Sequence, residues 1–285
     1  MNLRDYIGDA LNKHIAVGHF NVSTLDGVWA IADAAQGMGV PVIVGVAEGE
    51  RDYVGVREIA AVVKSIRESR KQPIFLNADH TYSVERVKEA IDAGYDSVIF
   101  DGAKLSLEDN IDMAKKCVEY ARKSGRDVIV EGELGFIGQS SKILDAIPEG
   151  AVVGDAAMTK PADAERFVRE TGVDMLAPAV GNIHGVVRGG DPALNPGRVK
   201  EIAEAVGIPL VLHGASGNSA DDISKSIKAG IAVVHVNTEL RIAYRAGLMK
   251  SLSEDPDEVA AYKYLKPAKL AMQKVVEEKL KIMCG

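Results

Sequence analysis

Three histidines in this chain each stand where an apolar run ends. They are His80 in Phe75-Leu-Asn-Ala-Asp-His80, His184 in Ala179-Val-Gly-Asn-Ile-His184 and His213 in Pro209-Leu-Val-Leu-His213. The chain has only six histidines, so half of them share this placement. If the apolar runs are parallel strands of one barrel, the three rings gather at one rim. Three imidazoles converging on a point describe a metal site with an open fourth position. Asp79, directly before His80, adds a carboxylate at the same rim. That set suggests metal-assisted chemistry on a carbonyl.

Such a site needs elements that hold it. Eight short apolar runs recur along the chain: 14–22, 41–46, 73–77, 97–100, 127–131, 175–180, 209–212 and 232–236. Most are continuous rather than alternating, as expected for parallel strands covered on both faces. Between them lie helix-length segments. Val84, Val87 and Ile91 fall on one face of such a segment, and Ile223 and Ile227 on another. Glycines at 94, 172, 207 and 230 close helices just before the next run. Eight strand–helix alternations predict an α/β fold, a (β/α)8 TIM barrel, with extra C-terminal helices between Pro256 and Met283. The rival is a doubly wound open sheet, which usually carries a Gly-rich phosphate turn after its first strand. Here the first run leads into Asn21-Val-Ser-Thr-Leu-Asp, so the barrel is preferred.

The bulk numbers agree with one barrel domain over residues 1–285: 47% apolar, 26% charged, 28 glycines. No apolar stretch is long enough for a membrane span. The N-terminus lacks an apolar signal core, so a cytoplasmic location is expected. A net charge of −7 with no Lys/Arg run argues against nucleic acid. Cys117 and Cys284 have no ligand spacing, and a disulfide between them is not expected.

Barrel enzymes place their chemistry at the C-terminal strand ends. Sorting polar residues by that rule collects His19 and Asn21; Asn77, Asp79 and His80; Asp101; Glu131 and Glu133; His184; His213; and His235, Asn237 and Thr238. His14 falls outside the rule and reads as structural. A phosphate site is the second inference. Gly214-Ala-Ser-Gly217 follows the seventh run and Asn237-Thr-Glu239 the eighth, where barrels commonly hold phosphate on backbone amides. Arg188 is spaced to reach the same anion.

In this order Asp79-His80, Glu131-Gly-Glu-Leu-Gly135, Gly181-Asn-Ile-His-Gly185, Leu212-His-Gly-Ala-Ser216 and Val236-Asn-Thr-Glu239 resemble the motifs of class II, metal-dependent ketose-bisphosphate aldolases. The family includes fructose-1,6-bisphosphate and tagatose-1,6-bisphosphate aldolases. The resemblance runs from Ala16-Val-Gly-His-Phe-Asn-Val to Lys263-Tyr-Leu-Lys-Pro-Ala. It implies that His80, His184 and His213 hold a catalytic zinc and that Asp79 exchanges a proton with the C4 hydroxyl. It implies that Asp101 and Glu133 belong to a second position for a divalent or monovalent cation. Gly185, Arg188, Gly214 and Ser216 match the C1-phosphate grip, and Arg241 an arginine that in some members reaches the distal phosphate of a neighbouring subunit. Asn21, His235, Asn237 and Thr238 match positions around the bound sugar. The implied reaction is reversible cleavage of a ketose 1,6-bisphosphate, fructose first, to dihydroxyacetone phosphate and glyceraldehyde 3-phosphate. Its negative charge is taken up as an enediolate by the Lewis acid. A homodimer or homotetramer is expected.

Four positions depart from the family pattern. Gly138-Gln-Ser-Ser141 lacks the usual loop acid, with Asp145 and Glu149 as the substitutes nearby. Arg188 stands for the usual lysine, Ala47 for the usual serine, and His235 for the first asparagine of Asn-Val-Asn-Thr. Three other readings stay open. One is a Schiff-base aldolase, for which Lys104 is the nearest lysine. Another is an aldolase for tagatose 1,6-bisphosphate or another phosphorylated keto-sugar. The last is a non-catalytic aldolase-like stabilising subunit.

Overall fold

In the computed structural model, residues 1–138, 142–147, 151, 154 and 158–285 are described. All eight expected runs form strands: β1 (Val17–Asn21), β2 (Val42–Val46), β3 (Ile74–Thr81), β4 (Ser97–Phe100), β5 (Ile129–Leu134), β7 (Met175–Pro178), β9 (Leu210–Leu212) and β10 (Ile231–Val236). They close into one parallel barrel in the order β1-β10-β9-β7-β5-β4-β3-β2. A short parallel pair, β6 (Ile143–Leu144) and β8 (Val186–Val187), stands outside the barrel and carried no signal in the sequence.

The barrel has two apolar compartments. Between strands and helices lies a continuous layer that includes Phe20, Val44, Leu76, Phe100, Val130, Leu176 and Leu212. Inside the barrel lies a smaller cluster of Val17, Ile43, Phe75, Ile129, Met175, Val211 and Val233. Its members are contributed by alternate residues of the strands, as the period of two requires. Leu3, Ile7 and Ala10 of helix α1 (Leu3–Lys13) join this inner cluster, so α1 plugs one mouth. The open mouth is the other one, at the C-terminal strand ends. His14, set apart above, caps α1 in the left-handed conformation.

Helix boundaries follow local chemistry. Thr24, Ser83, Ser106 and Ser219 cap α2 (Leu25–Met38), α5 (Val84–Ala93), α6 (Leu107–Lys123) and α9 (Ala220–Ala229) with side-chain oxygens on backbone N–H groups. Gly94, Gly172 and Gly207 end α5, α7 (Pro161–Thr171) and α8 (Pro196–Val206) at positive φ, as expected from their positions. The C-terminal segment forms a short α11 (Ala261–Tyr264) and a long α12 (Lys266–Cys284) with Pro267 in its first turn. Met272, Val276 and Leu280 of α12 are buried in the outer layer, where it packs on α2 and α10 (Thr238–Glu254). The extra helices therefore cover the barrel wall.

β3 is the exception to regular pairing. It runs to Thr81, four residues beyond the expected Asn77, and its register with β4 slips between Ala78 and Thr81. His80 sits in that bulge with φ of 25°, one of three non-glycine residues at positive φ among the described residues. In a regular strand Asp79 and His80 would face opposite sides of the sheet. The bulge lets both reach the open mouth.

Gly45 in β2 leaves room for the His19 ring. A Cβ at Gly45 would lie 2.0 Å from His19 Cε1. Gly45→Ala should therefore cost about 1–3 kcal/mol by overpacking, and less than about 1 kcal/mol in a His19→Ala background. Urea unfolding of the four proteins in this double-mutant cycle checks it; equal costs in both backgrounds would show that the ring is not the obstacle.

Candidate active site

Five of the six histidines gather at the open mouth. His19 and His235, paired in register across β1 and β10, stack with centroids 3.4 Å apart and planes within 5°. His213 stacks on the other side of His235 at 4.1 Å. His80 meets His184 and His213 edge-on at 4.6 and 4.8 Å. His80, His184, His213 and His235 line a cleft together with Asn21, Ala47, Asp79, Tyr82, Asp101, Gly214, Asn237, Thr238 and Arg241.

The hydrogen bonds fix which nitrogen each ring presents. His80 Nδ1 lies 2.9 Å from Asp101 Oδ2 and 3.2 Å from Glu133 Oε2. A carboxylate accepts, so Nδ1 carries a proton and Nε2 is the nitrogen left for a cation. His213 is held the other way round: its Nε2 shares a hydrogen bond with Glu131 Oε1 at 2.7 Å, which leaves Nδ1 turned toward His80. His80 Nε2 and His213 Nδ1 face each other at 3.1 Å, a hydrogen-bond distance that keeps one proton between them until a cation displaces it. His184 Nε2 is buried and has no hydrogen-bond partner among the described residues. The three rings each bring one nitrogen within 4.8 Å of the others. A tetrahedral ion with metal–nitrogen bonds of about 2.0–2.1 Å needs ligand nitrogens about 3.3 Å apart. The donor set thus fits a divalent cation, with carboxylates behind two of the rings in the manner that orients metal-binding histidines.

Electrostatics point the same way. Burial opposes protonation of His80, but Asp79, Glu133 and Asp101 outweigh it and hold its pKa well above the usual value. Burial and the neighbouring rings push His184 well below the usual value and His213 to about 3. Burial raises Glu133 to about 7, with Asp101 adding to the effect, and raises Glu131 as well. Without a cation, Asp79 and Asp101 are held ionised and the His80 imidazolium carries the compensating positive charge; a divalent cation bound among the rings would take the place of that proton.

Asp79 is almost fully buried. Its Oδ2 accepts from Asn21 Nδ2 at 2.8 Å, and its Oδ1 lies 3.4 Å from His235 Nδ1 and 3.8 Å from His80 Nε2. Burial alone would raise its pKa; the facing imidazoles His80, His235 and His19 more than offset this and hold it well below the usual carboxylate range. Asp79 is thus an ionised base beside the convergent nitrogens.

The expected phosphate residues separate into two groups. Gly214 takes φ of 61° and lies so close to Ile183 that a Cβ would meet its carbonyl oxygen at 2.2 Å. Ser216 Oγ accepts from the backbone N–H of Asn237 and Glu239, so it ties the turn after β9 to the start of α10. Gly214, Asn237 and Thr238 line the cleft, whereas Gly185, Arg188 and Ser216 do not. Arg188, expected at the anion, pairs instead with Asp145 at 2.9 Å on an exposed surface. Asp145, a substitute for the missing loop acid, is engaged in that pair. Gln139, Ser140, Ser141 and Glu149 lie outside the described residues.

Several participants had no sequence signal. Glu50, in the short helix α3 (Glu48–Val54), is buried; it accepts from Asn21 Nδ2 and pairs with Arg241 Nη2. Arg51 is buried behind Asp79. Asn77, collected above as a strand-end residue, bonds His19 Nε2 at 3.1 Å and donates to Ser97. Charged residues in a helix after a strand read as a solvated face, and nothing in their spacing says otherwise.

An eight-stranded parallel barrel whose C-terminal mouth gathers three ring nitrogens and an ionised aspartate has the architecture of a metal-dependent barrel enzyme. Comparison with known proteins agrees. The family model for class II fructose-bisphosphate aldolase matches residues 1–285. A fructose-bisphosphate aldolase of Staphylococcus aureus is 37% identical over 99% of this chain and 96% of its own length. One of Staphylococcus epidermidis is 36% identical with the same coverage. Among solved structures, the YdjI aldolase from Escherichia coli K12 superposes with a TM-score of 0.81 at 30% identity, covering 99% of this chain and 96% of that one. The chain belongs to the class II fructose-bisphosphate aldolase family, whose members are metal-dependent lyases.

His19 offers a pH test of this geometry. Burial, helped by the stacked His235, lowers its pKa to about 3 from 6.5. The unfolded chain then takes up a proton below about pH 6.5 that the folded chain refuses until about pH 3. Stability of the metal-free protein should fall through that window as pH falls. His19→Gln should flatten the profile by up to about 1.4 kcal/mol per pH unit. Urea midpoints from pH 7 to pH 4 measure this, and superimposable profiles would count against a neutral buried His19.

Proposed function

We propose that this chain reversibly cleaves a ketose 1,6-bisphosphate, fructose 1,6-bisphosphate first, to dihydroxyacetone phosphate and glyceraldehyde 3-phosphate. The observation that carries this reading is the meeting of His80 Nε2, His213 Nδ1 and a nitrogen of the His184 ring beside the ionised Asp79 in one cleft. These three histidines would hold the catalytic zinc. Bound zinc supplies a Lewis acid for the negative charge that develops on the ketose carbonyl oxygen when the C3–C4 bond breaks.

The chain's own residues do the rest. Asp79 removes the C4 hydroxyl proton in cleavage and returns it in condensation. Asn21 grips one Asp79 oxygen and leaves Oδ1 for the substrate. Glu131 fixes the tautomer of His213, and Asp101 with Glu133 fixes that of His80. We read Asp101 and Glu133 as serving His80 rather than holding a second divalent or monovalent cation, because both face its protonated nitrogen. Backbone N–H groups of the Gly214–Gly217 turn and the start of α10, with Asn237 and Thr238, receive the C1 phosphate. Arg241 receives the distal phosphate, with Glu50 orienting it. Remote phosphate binding thereby orients the reacting atoms. The working form is a homodimer or homotetramer of single-domain chains over residues 1–285, in the cytoplasm.

The test is a cleavage assay on fructose and tagatose 1,6-bisphosphates with zinc present and then chelated. We expect fructose bisphosphate to be cleaved, the activity to disappear on chelation and return with zinc, and Asp79→Asn to lower kcat by about 10²–10⁴-fold. Preferred cleavage of the tagatose sugar would move the substrate assignment. Activity that survives chelation and is trapped by borohydride on Lys104 would refute the metal mechanism.

A further inference from the structure

Arg51 is the largest fully buried side chain among the described residues, at 1% exposure. It makes no ion pair among them. Its Nη1 donates to Val46 O at 2.6 Å and to Asp79 O at 3.0 Å, and its Nη2 donates to Thr81 Oγ1 at 3.0 Å. Burying a guanidinium without a carboxylate is costly, so the placement calls for an explanation beyond packing. The three acceptors supply one. Val46 ends β2, while Asp79 and Thr81 flank His80 in the bulge of β3. His80 holds φ of 25°, a conformation a bulky residue avoids unless its surroundings impose it. Without the bulge, Asp79 and His80 could not share one face of the sheet.

We propose that Arg51 is a positioning residue: its guanidinium straps the backbone on both sides of His80 to the end of β2 and so keeps the His80 ring turned to the same side as Asp79. This rests on the reading of His80 as a metal ligand, and it assigns the alignment of that ligand to a cation reached through main-chain and hydroxyl oxygens. Asp101 and Glu133 set the tautomer of the ring; Arg51 sets where the ring starts. Lysine at position 51 keeps the charge but cannot span the three oxygens with one planar fork. Thr81→Val removes one anchor while leaving Arg51 and the volume of the side chain in place.

The experiment compares wild type, Arg51→Lys, Thr81→Val and His80→Ala. The readouts are zinc affinity by competition with a chromophoric chelator, the visible spectrum of the cobalt-loaded protein, kcat and KM on fructose 1,6-bisphosphate, and Tm. We expect Arg51→Lys to weaken zinc binding about 10- to 100-fold, as loss of support behind a ligand does. It should also shift the cobalt bands and lower kcat with KM within about twofold. Thr81→Val should move the same readouts in the same direction by a smaller factor, and it decides the matter if Arg51→Lys does not fold. A lowered Tm with zinc affinity, cobalt spectrum and kcat at wild-type values would reduce Arg51 to a packing residue and overturn the proposal. If His80→Ala keeps wild-type zinc affinity and cobalt spectrum, the ligand reading itself fails, a result distinct from the first.

Discussion

Four carboxylates, Asp79, Asp101, Glu131 and Glu133, are held with little exposure around one mouth of the barrel. Ionised carboxylates in a low-dielectric setting are unstable unless paired, hydrogen-bonded or placed on a cation. This charge constraint organises the site. Imidazole nitrogens face the acids from one side: His80 Nδ1 bonds Asp101 and lies 3.2 Å from Glu133, and His213 Nε2 bonds Glu131. Each ring that is held outward by an acid turns its other nitrogen inward. The ring orientations that calm the acids are thus the orientations a divalent cation requires, and the acid–base and metal-binding roles come from one arrangement.

The fold makes the arrangement possible by leaving one mouth open and sealing the other. Helix α1 closes the N-terminal end with Leu3, Ile7 and Ala10, which pack into the inner apolar cluster. Above it, alternate residues of the same strands change from apolar to polar: Phe75, Asn77 and Asp79 in β3, and Val17, His19 and Asn21 in β1. The stack of His19, His235 and His213 spans this boundary. Its flat rings fill the lumen as apolar side chains would while keeping nitrogen atoms available beside Asp79. The regular period of two supplies most of the site, and one irregularity, the bulge at His80, supplies the residue that regularity would turn away.

Much of this was legible in the residues. All eight strands, the glycine ends of α5, α7 and α8, the long C-terminal helix with Pro267 in its first turn, and the convergence of His80, His184 and His213 follow from apolar runs and their last residues. Those signals are local, and strand ends carry them directly. What could not be read depends on contacts between distant segments. Glu50 and Arg51 look like any charged pair on a short helix until β3 is packed beneath them. The positive φ of His80 has no glycine to announce it. Arg188 matched a phosphate position by spacing alone, but the β6–β8 pair, invisible in two-residue strands, aligns it with Asp145.

The central claim is that three imidazoles, His80, His184 and His213, form the first coordination sphere of one zinc ion. X-ray absorption fine structure of the zinc-loaded protein tests it most directly, because imidazole rings give multiple-scattering features that carboxylates do not. The account predicts about three imidazole nitrogens at about 2.0–2.1 Å, and one fewer in His184→Ala. A shell of oxygen scatterers without imidazole features, or a spectrum unchanged by His184→Ala, would contradict it.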